Sequence, residues 1–230
     1  MLTKTLKSFL ALIYPNLCNC CNQALTGNEE VICTNCLFEL PKTYFHKDPD
    51  NAIEQIFHGR VPVKNASAYL YFQKGGKVQK LIHKFKYSGN KQIGYYFGKV
   101  YGHEISESEM ISTVDLIIPV PMHPSKIKKR GYNQSEVLAK GLSDATSIPL
   151  DTANLIKSTV TQTQTRKSRF VRWENVETVF TVVNPDVFKN KHVLIVDDVI
   201  TTGATIEACA QLLLEIEGVE VSVLTLAIAS

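Results

Sequence analysis

Asp197 and Asp198 stand side by side directly after the apolar run Val193-Leu194-Ile195-Val196. Adjacent carboxylates repel each other, so they call for a stabilising partner such as sugar hydroxyls or a divalent cation. The hydroxyl side chains of Thr201, Thr202 and Thr205 follow, around Gly203 and Ala204, and a helix pattern begins there. Free backbone N–H groups at a helix start, aided by the helix dipole, form an anion site. Gly203 can take backbone conformations that other residues resist. An ordinary strand–turn–helix with a threonine cap would explain the threonines but not the paired acids. The combination points to a ligand bearing both hydroxyls and a phosphate.

Four of the six cysteines form two C-x-x-C pairs, Cys18/Cys21 and Cys33/Cys36. Each pair supplies two thiolates, and four together suit tetrahedral Zn²⁺. A region this short buries little core, so a metal would supply folding energy. A redox role for the C-x-x-C pairs is the rival. Cys20 is an alternative ligand, poorly placed by its offset from Cys18. Cys209 falls on the apolar side of the last helix and reads as core.

A third group is basic. Lys126, Lys128, Lys129 and Arg130 follow the run Leu116 to Pro121, and Arg166, Lys167, Arg169 and Arg172 lie in an acid-free stretch over 158–172. Cationic and N–H donors are what a phosphate group requires. Lys126, Lys129 and Arg130 are therefore expected to include at least one phosphate ligand, against the plainer reading of a solvated basic face. The 158–172 stretch is polar and threonine-rich and reads as mobile. No motif places a general base; His83 and His123 lie near loops only.

These groups need elements to hold them. Ala68–Phe72 reads as a strand, Val78, Leu81, Ile82 and Phe85 as one helix face, and 92–104 as a second helix. Leu116–Pro121 is a buried strand, 134–145 a helix, Val179–Val182 strand-like, Val193–Val196 a strand apolar on both faces, 204–217 a helix and Val219–Ile228 a last strand. Alternation of strands and helices makes this an α/β fold with a parallel sheet. Two regions are expected: 1–58, an N-terminal amphipathic helix with the four-cysteine module, and 59–230, the α/β domain.

The ordered run of apolar strand, two acids and T-T-G-x-T resembles the 5-phosphoribosyl-1-diphosphate (PRPP) signature of type I phosphoribosyltransferases. With Pro119-Val120-Pro121, Arg130-Gly131-Tyr132-Asn133-Gln134, the Thr163–Asn175 run and Phe85-Lys86-Tyr87, nearly the whole chain resembles the ComF family. The resemblance implies a type I phosphoribosyltransferase-like sheet flanked by helices, with an N-terminal zinc-ribbon-like module. It implies that Asp197 and Asp198 hold the ribose and that Thr201, Thr202, Gly203, Ala204 and Thr205 hold its 5-phosphate. Transfer to an unknown acceptor would release pyrophosphate, with Mg²⁺ neutralising it. The alternative is a non-catalytic accessory of DNA uptake, binding single-stranded DNA or a competence helicase.

Composition fits a globular protein: 230 residues, 44% hydrophobic, net charge +3. That charge is too mild to argue nucleic-acid binding on its own. Its distribution is more suggestive. Between Gln73 and His103 there is no acid, and Lys74, Lys77, Lys80, Lys84, Lys86, Lys91 and Lys99 interleave with aromatics, as single-stranded nucleic acid would require. A lysine-rich face over an aromatic core is the simpler reading; Lys84, Lys86 and Tyr87 equally suit a wall of the PRPP site. No apolar run reaches the ~20 residues of a membrane span. Met1–Pro15 has helical spacing and no cleavage signal, so it reads as a packed helix, and a cytoplasmic location is expected.

Overall fold

The computed structural model describes residues 15–159 and 178–229. Four parallel strands make the central sheet: β1 (Ala66–Phe72), β2 (Leu116–Pro119), β5 (His192–Ile200) and β6 (Glu220–Ala229), in the order β1-β6-β5-β2. β3 (Leu155–Thr159) and β4 (Thr178–Val182) form a separate antiparallel pair. The helices among the described residues are α1 (Thr34–Phe38), α2 (Ala52–Phe57), α3 (Lys77–Tyr87), α4 (Lys91–Ile105), α5 (Glu109–Ser112), α6 (Pro124–Arg130), α7 (Gln134–Thr146) and α8 (Ala204–Leu214).

A parallel strand covered on both faces must be apolar on both. In β5, Val193 and Ile195 join a layer with Ile118 and Val223, against Ile53 and Phe57 of α2 and Ile206, Cys209 and Leu213 of α8. Leu194 and Val196 join the opposite layer with Ile117 and Leu224, against Phe85 of α3, Phe97 of α4 and Leu138 and Leu142 of α7. The α4–α7 contact is unusually close. A Cβ on Gly98 would collide with the Leu138 carbonyl oxygen, and one on Gly141 with that of Tyr95. The two backbones touch at this crossing.

The α/β fold is the one expected, with three differences in detail. β5 does not end at Val196 but runs through both acids to Ile200, because Val199 and Ile200 pair with Ala227 and Ile228 of β6. α8 ends at Leu214, and the chain turns at Gly218, whose φ is +70°. β3 was not expected as a strand; Lys157 and the polar residues beside it mask its pairing with β4.

Packing does not break at residue 58. Phe45, Ile53 and Phe57 share a core with Ile118 and Val193, and Cys18, Val31 and Cys36 share the other with Tyr69, Val78 and Leu81. The expected helix over Met1–Pro15 and nearly all of the basic 158–172 stretch lie outside the described residues. None of the described helices is long and apolar enough to cross a membrane.

Candidate functional site

β2 and β5 are neighbours and parallel, so the segments leaving their carboxyl ends face each other, the usual position of a ligand in an open α/β sheet. Between them lies a cavity of ≈ 520 Å³. It is lined from α3 by Lys86, from the segment after β2 by Val120, Pro121, Met122, His123, Ser125, Lys126, Arg130, Asn133 and Ser135, from β3 by Lys157, and otherwise by Asp197, Asp198 and Thr205. A smaller hollow of ≈ 50 Å³ adjoins it, walled by Asp197, Val199, Ile200 and the loop Thr201–Ile206. Asp197 and Thr205 belong to both.

The threonine–glycine loop is shaped from behind. Gly203 has φ +76°, a left-handed conformation that side chains disfavour, and a Cβ there would stand 2.7 Å from Ile56 Cγ2. Arg60 Nη1 donates to the Thr202 carbonyl at 2.8 Å, and its Nη2 pairs with Glu207 on α8. Helix α2 and Arg60 thus brace the loop from the side away from the cavities. Thr201, Thr202, Ala204 and Thr205 remain exposed to solvent.

The two acids are served differently. Asp197 Oδ1 accepts from Ser135 Oγ at 2.6 Å and from the Asp198 backbone N–H at 2.8 Å. Burial nevertheless pushes its pKa up to about 6; the neighbouring Asp198 charge adds to the rise, and these two donors with Lys86 oppose it. Asp198 Oδ1 pairs with Lys86 Nζ at 3.0 Å.

Asn133 caps α7 by accepting from the Ser135 N–H at 3.2 Å, and its Nδ2 donates to the Val120 carbonyl at 3.0 Å. One side chain therefore ties the end of β2 to the start of α7 and presents Ser135 to Asp197. Three consecutive residues of α3 meet the same segment. Tyr132 donates its hydroxyl to the Phe85 carbonyl, and the Arg130 guanidinium lies 5.4 Å from the centre of the Tyr87 ring. Lys86, between them, lines the cavity.

Of the cations expected near a phosphate, Lys126 and Arg130 line the cavity and Lys129 does not; Lys129 is exposed elsewhere on α6. His123 also lines it, its Nδ1 accepting from the Ser125 N–H at 3.2 Å, whereas His83 is exposed beside Tyr87. Ser135 and Lys157 were missed. The Asn133-Gln134-Ser135 run after a turn carried a helix-cap signal for Ser135. No local pattern marked Lys157.

The sulfurs of Cys18, Cys21, Cys33 and Cys36 all lie within 4.8 Å of one another. Zn–S bonds of about 2.3 Å imply a tetrahedral edge of about 3.8 Å, and Cys21 Sγ and Cys33 Sγ are 3.7 Å apart. Backbone N–H groups of Cys20 and Cys33 reach Cys18 Sγ at 3.4 and 3.3 Å. Burial alone would raise the Cys18 pKa; these and neighbouring donors outweigh it and bring the thiol to about 6. Cys20 is buried outside the cluster, and burial raises its thiol to about 12. The four clustered cysteines suit a metal ion such as zinc, and Cys20 is not among them. Cys209 is buried in the α8 layer.

The acid-free lysine stretch is largely engaged elsewhere. Lys77 pairs with Glu39, Lys84 Nζ is 3.3 Å from Asn22 Oδ1, Lys86 pairs with Asp198, and Lys91 sits 5.2 Å from the Tyr132 ring centre. Phe85 and Phe97 are core, while Tyr87 and Tyr95 are exposed.

A family model described as the phosphoribosyl transferase domain matches residues 119–229, the stretch from the end of β2 through β6. The chain is 28% identical over 208 residues to the DNA utilization protein YhgH of Shigella flexneri, covering 89% of this chain and 87% of that one. It is 32% identical over 152 residues to Competence protein F of Haemophilus influenzae, covering 64% and 66%. It is 25% identical over 202 residues to Competence protein ComFC of Bacillus subtilis, covering 81% and 79%. With its paired acids, its threonine–glycine loop and these relatives, the chain belongs to the ComF family.

Proposed function

We propose that this protein binds PRPP between β2 and β5 and transfers its phosphoribosyl group to an acceptor, releasing pyrophosphate. The observation that carries this reading is the placement of Asp197 between a threonine–glycine loop on one side and a cation-lined cavity on the other, with Asp198 beside it in that cavity. The loop Thr201–Thr205 takes the 5-phosphate, and the acids accept the ribose hydroxyls. Lys126 and Arg130 face the diphosphate. Attack of the acceptor at C1 breaks the bond to the pyrophosphate oxygen, which leaves with the bonding pair. The reacting carbon passes through an oxocarbenium-like state, so this chain contributes positioning and electrostatics. Mg²⁺ accompanies the diphosphate and offsets its charge. The cysteine cluster holds structural Zn²⁺, and the protein works in the cytoplasm.

The test is thermal unfolding with PRPP and Mg²⁺. The wild type gains stability, and Asp197→Ala combined with Asp198→Ala abolishes the gain; a wild type indifferent to PRPP refutes the reading. Turnover is read as pyrophosphate released from PRPP in a metabolite extract.

A second reading is favoured by the names of the relatives: an accessory of DNA uptake that binds single-stranded DNA or a helicase. Salt-sensitive binding of an oligonucleotide that weakens in Lys84→Ala would support it. Lys86 is a poor probe of that reading, because it pairs with Asp198.

A further inference from the structure

We propose that Lys86 is the resident counter-cation of the ribose site, and that it selects for ligands carrying a diphosphate at C1. This rests on the PRPP reading above. Lys86 Nζ holds Asp198 Oδ1 at 3.0 Å, with side-chain exposures of only 23% and 12%. The pair is therefore substantially withdrawn from water, and opening it without compensation leaves a charge poorly solvated.

A ligand seated on the acids asks Asp198 to accept a ribose hydroxyl where it now accepts the lysine. The ammonium then needs another anion within reach. Lys86 faces the same cavity as Lys126 and Arg130, so a diphosphate placed against those residues supplies it. A sugar phosphate without that group leaves Lys86 competing with its hydroxyls for Asp198. The charge balance of the cavity agrees: among the described residues, Lys86, Lys126, Arg130 and Lys157 line it against Asp197 and Asp198.

Lys86 is also well anchored for such an exchange. It occupies the last turn of α3, where the helix dipole favours a cation. The residues on either side are fixed to the segment after β2, Phe85 through the Tyr132 hydroxyl and Tyr87 under Arg130. The helix end is held while the long lysine side chain can turn from carboxylate to phosphate.

The experiment compares PRPP and ribose 5-phosphate by titration calorimetry with Mg²⁺ present, on wild type, Lys86→Met and Lys86→Arg. A charged hydrogen bond is worth about 1.5–3 kcal/mol, or roughly ten- to a hundredfold in affinity. Lys86→Met is expected to lose PRPP affinity by about that factor. Its ribose 5-phosphate affinity should be unchanged or tighter, because Asp198 is released. Lys86→Arg keeps the preference for PRPP. Should Lys86→Met not fold, Lys86→Gln replaces it with the same expected split. A parallel loss for both ligands, or no loss for either, overturns the role of Lys86 and leaves the PRPP site standing. Wild type that binds neither ligand overturns the site and this inference together.

Discussion

Ser135 Oγ donates to Asp197 Oδ1 at 2.6 Å, from the buried first turn of α7 to a carboxyl on β5. Burial and the neighbouring Asp198 charge outweigh that donor, and Asp197 titrates near pH 6. The folded chain then holds a proton more tightly than the unfolded one. The group's contribution to stability is largest at low pH and falls away as pH rises from about 3.8 to about 6. Asp197→Asn keeps an oxygen for both donors and removes the charge. We expect it to exceed the wild type in stability at pH 8 by on the order of 1–2 kcal/mol, with the difference gone at pH 4. Urea unfolding at the two pH values decides; a gain of equal size at both rejects the charge as its cause.

Gly203 should not tolerate a side chain. Gly203→Ala forces a left-handed φ on alanine and presses its Cβ toward Ile56. A loss of about 1–3 kcal/mol is expected, with weaker PRPP binding as the loop shifts. Denaturant melts and PRPP titrations measure the two effects. Unaltered stability would mean that the loop is free to move off α2.

The α4–α7 crossing predicts a remote effect. Gly98→Ala and Gly141→Ala each insert a methyl against backbone rather than a flexible side chain. Each should cost about 2–4 kcal/mol. Because α7 carries Ser135, ligand affinity should drop as well. Full affinity in a destabilised Gly98→Ala would show that α7 can slide without disturbing Asp197.

Metal content should separate the cysteines. Cys21→Ser is expected to lose the metal and lower the melting temperature, whereas Cys20→Ser keeps one metal per chain, since Cys21 belongs to the cluster and Cys20 does not. Elemental analysis of the purified variants reads this directly. Metal lost from Cys20→Ser would require a different ligand set.

Much of this was legible before folding. The apolar run of β5, the acids after it and the threonine–glycine bend are local patterns, and each names its own element. Extension of β5 through Asp197 and Asp198 was not legible, because two charges break the apolar pattern and only pairing with β6 keeps the strand going. Lys86 suited a wall of the site together with Lys84 and Tyr87; that it alone of them pairs with Asp198 was not legible, because that partner lies far along the chain and no periodicity reports it. In the basic run from Lys126 to Arg130, where at least one phosphate ligand was expected, helix geometry turns Lys126 and Arg130 to the cavity and Lys129 away from it.

β2 pairs with β5 only as far as Pro119 opposite Val196, and the last tie on that side is the Val120 N–H to the Val196 carbonyl at 2.8 Å. On its other flank β5 stays in register with β6 up to Ile200. Room for a guest thus arises where one rail of the ladder stops a step early. The acids are fastened along one edge to the middle of the sheet and open along the other. Among the described residues, those that can tighten around a guest on the open edge belong to the stretch that follows β2, to α3 and to β3, while β6 holds the backbone under the acids.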